Sequence, residues 1–134
     1  MPSVYKVWLD DTRPIPDDFC GIPKGDGKVV VFKCVDINCV KVLYLKGYVN
    51  HVSFDHDLGE GKETGYDLAK WFEELAFKGI APAITWDVHS ANAPGSRYIR
   101  LAMSKATLLW SEKNIRTHLD YPLDKSQKMW YNRI

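Results

Sequence analysis

Short apolar runs alternate with apolar stripes of helical period along this chain of 134 residues. Val4 to Leu9 (VYKVWL) is β-branched or aromatic and stops at Asp10-Asp11. That pattern predicts a strand, followed by a loop punctuated by Pro14 and Pro16. After the glycine-rich stretch 21–28, Val29 to Phe32 reads as a second strand. Asp36 can cap a helix with apolar positions Ile37, Val40, Leu43 and Tyr44, and Gly47 can stop it. His51 to Phe54 is a third strand, ending at Asp55-His56-Asp57.

Thr64 and Asp67 have capping-box spacing, and Leu68, Trp71, Phe72 and Leu75 form one helical stripe ended by Gly79 and Pro82. Ala83 to Val88 is a fourth strand, ending at His89-Ser90. Pro94, behind Asn92 or Ala93, opens a last helix with apolar positions from Ile99 to Trp110, continuing to about Lys113. Strands alternating with helices predict parallel pairing and right-handed crossovers. The expected fold is α/β: a small open parallel sheet of four to five strands in the order 2-1-3-4, with helices on both faces. Residues 1–113 form the domain. Residues 114–134 are interrupted by Pro122 but too apolar for a free tail, and are expected to pack back on it.

Composition narrows the class. Hydrophobic residues at 46% and charged residues at 26% exclude general disorder, collagen-like repeats and a coiled coil. Three cysteines, Cys20, Cys34 and Cys39, are an odd number without a CxxC. They are expected to be reduced, in a cytoplasmic setting. No apolar run is long enough for a membrane span. Eighteen Lys and Arg against 17 Asp and Glu argue against a coat for long duplex nucleic acid. Residues 97–134 nevertheless hold eight Lys or Arg and three Asp or Glu, so a basic final third adjoins an acidic remainder.

The polar clusters fall where chemistry would be expected. In an open parallel sheet the carboxyl ends of the strands open on one edge, and ligands bind there. Asp10-Asp11, Asp55-His56-Asp57 and His89-Ser90-Ala91-Asn92 all lie at such ends. Four carboxyl groups in one crevice repel unless some are protonated or a divalent cation sits among them. Oxygen ligands suit Mg²⁺, Ca²⁺ or Mn²⁺, and histidines add Mn²⁺, Fe²⁺ or Zn²⁺. Histidine also moves protons near pH 7. Arg13 can make a bidentate phosphate contact, and Ser90 lies before a helix start. The set suits a phosphate ester. Plainer roles are open to several members: turn formation for Asp10-Asp11, capping for Asn92, a surface ion pair for Arg13. GEGKETG reads as a mobile loop over the crevice, and His51 and His118 as structural or exposed.

VWLDDTRPIP, VSFDHDLGEGKETGYDLAKW and VHSANAPG together resemble the cyclic-phosphate-processing receiver domain family, from about Val4 to Ala106. The resemblance implies a receiver-like (flavodoxin-like) fold turned from signalling toward a phosphoesterase role. Its substrates would be cyclic phosphates, such as a 2′,3′-cyclic phosphate on a nucleotide or an RNA end. Asp10, Asp11 and Asp55 would take the metal-binding and phospho-acceptor places of a receiver. His56, Asp57, His89, Ser90 and Asn92 mark the departures from it. On this reading a divalent metal, Mg²⁺ or Mn²⁺, sits on Asp10, Asp11 and Asp55. His56 or His89 activates water and the other protonates the leaving oxygen. Asp57 orients a histidine, and Arg13, Ser90 and Asn92 bind phosphate oxygens. Two other functions are carried alongside: a non-catalytic module binding a nucleotide or RNA end, and a degenerate phospho-acceptor receiver.

Overall fold

The structure is a computed structural model describing residues 3–21 and 27–116. Strands β1 (Val4–Leu9), β2 (Val29–Cys34), β3 (His51–Phe54) and β4 (Thr85–Val88) form one sheet. All pairs are parallel, as the alternation of runs and stripes predicts, and the order is the expected β2-β1-β3-β4. The helices are α1 (Ile37–Leu45), α2 (Gly65–Phe77) and α3 (Ala93–Glu112).

The predicted caps are made. The Asp36 side chain accepts from the Cys39 amide at the start of α1. Thr64 and Asp67 form a reciprocal capping box on α2. Asn92 caps α3 through Gly95 N–H, with a proline in the first turn. Gly47 and Gly79, just past α1 and α2, adopt positive φ values of 86° and 75°, which favour glycine. β4 is two residues shorter than Ala83 to Val88, since the Ala83 amide donates to Arg116 O instead of entering the ladder.

Register separates the two sheet faces. Val7, Leu9, Val52, Phe54, Trp86 and Val88 share one face and are buried with the apolar stripes of all three helices. Phe54 meets Phe72 of α2 edge-on at 6.3 Å, and Trp86 Nε1 donates to Thr107 of α3. The opposite face carries Lys6, Trp8, His51, Ser53 and Thr85. Among the described residues it meets a loop, not a helix: Phe19 packs edge-on against Trp8, 5.2 Å between centroids. The expected helical cover on both faces is thus seen on one. The first crossover is rich in proline and glycine, has no helical stripe, and lacks a helix among its described residues. The expected packing of residues 114–134 lies largely outside the described residues, as does His118. Of the portion described, Ile115 packs against the core.

The cysteine expectation needs correction. Cys34, the last residue of β2, and Cys39, in the first turn of α1, are joined by a disulfide, and Cys20 alone is free. The helix cap at Asp36 turns the chain so that residues five apart meet, with Cα atoms 5.6 Å apart. The expectation of a reduced compartment loses that support. No described helix is long and apolar enough to cross a membrane.

On the loop-covered face, His51 Nδ1 is 2.8 Å from Thr85 Oγ1. Burial, and then the Lys6 charge, lower its pKa to about 3 from 6.5. The folded state therefore keeps His51 neutral while the unfolded chain takes up a proton below pH 6.5. Its contribution to stability is complete above pH 6.5 and falls as the pH drops toward 3, with a slope of up to about 1.4 kcal/mol per pH unit. Urea unfolding at pH 7 and pH 5 is expected to show a larger loss in the wild type than in His51→Gln. Equal losses would remove His51 from the acid sensitivity.

Candidate active site

Leu9, Phe54 and Val88 are register partners across β1, β3 and β4. The next residue on each strand is Asp10, Asp55 and His89, so three chain segments deliver their functional groups at one height. Backbone bonds hold that height: Asp55 N donates to Leu9 O at 3.0 Å and His89 N to Phe54 O at 2.9 Å. Ligand atoms of Asp10, Asp55 and His89 all lie within 4.8 Å of one another. Asp11 is not part of this group; its carboxylate lies instead beside Gly59 of the predicted GEGKETG loop.

Asp10 is fully buried and Asp55 is 7% exposed. Asp10 Oδ1 accepts from the amides of Thr12 and Arg13, the turn bonds expected of an Asp at a strand end. Its Oδ2 is 3.0 Å from His89 Nε2. Burial pushes the Asp10 carboxyl upward, but the Arg13 and Thr12 amides and the His89 ring outweigh it and hold it below the usual carboxylate range. Burial, followed by the Asp10 charge, pushes Asp55 upward despite the His56 amide on its Oδ1. Two neighbouring carboxyls displaced in opposite directions repel when both are ionised, a repulsion that a shared proton or a bound cation would relieve. Burial lowers His89, opposed by its bond to Asp10.

Two buried carboxyls converging with an imidazole present the oxygen and nitrogen donors that a divalent cation takes. Arg13 Nη1 donates to His89 O at 2.6 Å, and its Nε is 3.9 Å from Asp10 Oδ2. Its guanidinium therefore borders the cluster with exposed surface, as a phosphate contact requires.

His56, Asp57 and Asn92 form a second group on the same edge. His56 Nδ1 is 2.8 Å from Asp57 Oδ1, and Asn92 Nδ2 donates to Asp57 Oδ2 at 3.2 Å. The bond to His56, and then that from Asn92, lower the Asp57 carboxyl. Asn92 thus serves as helix cap through Oδ1 and as partner of Asp57 through Nδ2. The His56 ring lies on Gly95, where a Cβ would meet ring atoms at 2.4 Å. Among the described residues, His56 Nε2 makes no hydrogen bond. Both ring nitrogens of His89 are engaged, Nδ1 with Ser53 Oγ at 2.8 Å and Nε2 with Asp10. Ser90 turns inward to the backbone, its Oγ accepting from Asn92 N.

Sequence reading missed Ser53 and Trp8. Trp8 stacks on the His89 ring, 3.7 Å between centroids and 9° between planes. A faint signal existed, because each lies two residues before an acid of the cluster and so shares its face.

The model of one family, the cyclic-phosphate processing receiver domain, matches residues 5–105. No curated protein and no solved structure matches the chain.

Proposed function

The chain belongs to the cyclic-phosphate processing receiver domain family, and on that premise we propose that it hydrolyses a cyclic phosphate ester. The 2′,3′-cyclic phosphate of a nucleotide or RNA end is the proposed substrate, and a divalent cation the proposed aid. The observation that carries this reading is the convergence of Asp10, Asp55 and His89 beside a histidine whose Nε2 makes no hydrogen bond among the described residues.

Asp10, Asp55 and His89 would hold the cation, which when bound supplies positive charge to the phosphate oxygens. Arg13 adds a second positive group at the same rim. Asp57 holds His56 through Nδ1, so Nε2 is the nitrogen left to accept a proton. His56 takes that proton from the attacking water. The water oxygen bonds to phosphorus, the bond from phosphorus to one ring oxygen breaks, and solvent returns a proton to that oxygen. The product is a phosphomonoester. His89, with both nitrogens engaged, belongs to the charge site instead of the proton transfer.

Incubation with 2′,3′-cyclic AMP is expected to yield the monoester. EDTA should abolish the reaction, and Mn²⁺ or Mg²⁺ should restore it. Turnover indifferent to EDTA would remove the cation and leave Asp55 holding a proton in its place. Saturable binding with no product over hours would overturn the enzymatic reading in favour of a binding module.

A further inference from the structure

Four contacts fix His89. Arg13 holds its carbonyl, Trp8 covers one ring face, Asp10 meets Nε2, and Ser53 meets Nδ1. Trp8 is itself held, with Nε1 donating to Arg13 O at 3.2 Å and Phe19 against its ring. The ring plane is therefore set before any ligand arrives, and only the placement of its proton remains free.

With no cation, Asp10 is an acceptor, so Nε2 must carry the hydrogen of a neutral ring, and Nδ1 accepts from the Ser53 hydroxyl. A cation on Nε2 requires the opposite tautomer, with Nδ1–H donating. Most side chains placed at Nδ1 would serve one tautomer only. A carboxylate or a carbonyl accepts but cannot donate, whereas a hydroxyl does both by rotating about its C–O bond. Ser53 is 3% exposed, so water is poorly placed to substitute for it, and it cannot be reached as a nucleophile.

We propose that Ser53 is a positioning residue for His89, its hydroxyl reversing from donor to acceptor so that the ring can present an unprotonated Nε2 to a cation. This rests on the proposed metal site and adds what the three ligand residues alone do not explain. Removing the partner of a ligating histidine commonly costs 10- to 100-fold in metal affinity.

The test is Mn²⁺ binding to the full chain, followed by electron paramagnetic resonance without substrate. Ser53→Ala is expected to weaken Mn²⁺ at least about tenfold, while Ser53→Thr, which keeps the hydroxyl, stays much nearer the wild type. Nitrogen NMR of the wild-type His89 ring, with diamagnetic Zn²⁺ as probe, should show the hydrogen on Nε2 before addition and on Nδ1 after. That measurement tests the proton shift even if Ser53→Ala fails to fold, and the loss in Ser53→Thr relative to the wild type then tests the hydroxyl. Wild-type affinity in Ser53→Ala, an equal loss in both variants, or an unmoved ring hydrogen would overturn the inference. If the wild type binds no Mn²⁺, the metal reading itself fails and takes this one with it.

Discussion

His56→Ala is expected to lower turnover of a 2′,3′-cyclic nucleotide about a thousandfold while leaving Mn²⁺ affinity close to that of the wild type. A positioned proton-transfer group contributes about 10²- to 10⁴-fold, and His56 is the histidine of the edge with an uncommitted nitrogen among the described residues. Its orientation is held from two sides, by Asp57 at Nδ1 and by Gly95 under the ring. Asp57→Asn should therefore also slow turnover, because an amide can keep the geometry at Nδ1 without fixing the ring tautomer or stabilising a charged ring. The same substitution at His89 should act differently, weakening Mn²⁺ together with turnover. Separate measurement of metal affinity and turnover for the two alanine variants resolves the roles. If His56→Ala retains wild-type turnover, the proton-transfer assignment is wrong.

The second large effect concerns stability. A Cβ at Gly65 would lie 1.8 Å from Asp55 O and 2.9 Å from Asp55 C. Both are backbone atoms, which cannot swing aside as a side chain can. Gly65 N donates to His56 O at 2.8 Å, so α2 begins directly against the strand end that carries Asp55. Gly65→Ala must separate the two, breaking that bond and disturbing the capping box at Thr64. Overpacking costs about 1–3 kcal/mol, which for a domain of this size corresponds to a fall in Tm of roughly 5–15 °C. Asp55 and His56 should move with the helix, so surviving folded protein should be slow as well. A calorimetric scan within about 2 °C of the wild type, with full activity, would show that the contact yields easily.

Much of the fold was legible because each boundary had its own local chemistry. Val4–Leu9 and His51–Phe54 end at charged residues, and Thr64, Asp36 and Asn92 all cap the helices they precede. The parallel pairing followed from alternation and crossover rules. Asp10, Asp55 and His89 could be placed in one crevice because strand ends share an edge. What was not legible depended on distances across the chain. Asp11 and Asp10 are neighbours in sequence, yet only Asp10 faces the cluster. The two histidines look equivalent in DHD and VHS, and only their hydrogen bonds separate them. The Cys34–Cys39 link was hidden because parity and CxxC spacing say nothing about a strand turning into a capped helix. Little in the sequence sets Ser53 and Trp8 apart from ordinary strand residues, since the partner of Ser53 lies 36 positions away.

The shared height of Leu9, Phe54 and Val88 has a last consequence. Asp10 and His89 are separated by 79 positions and meet only when β1, β3 and β4 have paired. The unfolded chain owns no such site. By mass action, anything that occupies it also holds the sheet closed, in proportion to the logarithm of its concentration over Kd. Affinity for the ligand and resistance to unfolding are therefore two readings of one equilibrium, and a melting curve can report on an occupant before its chemistry is known.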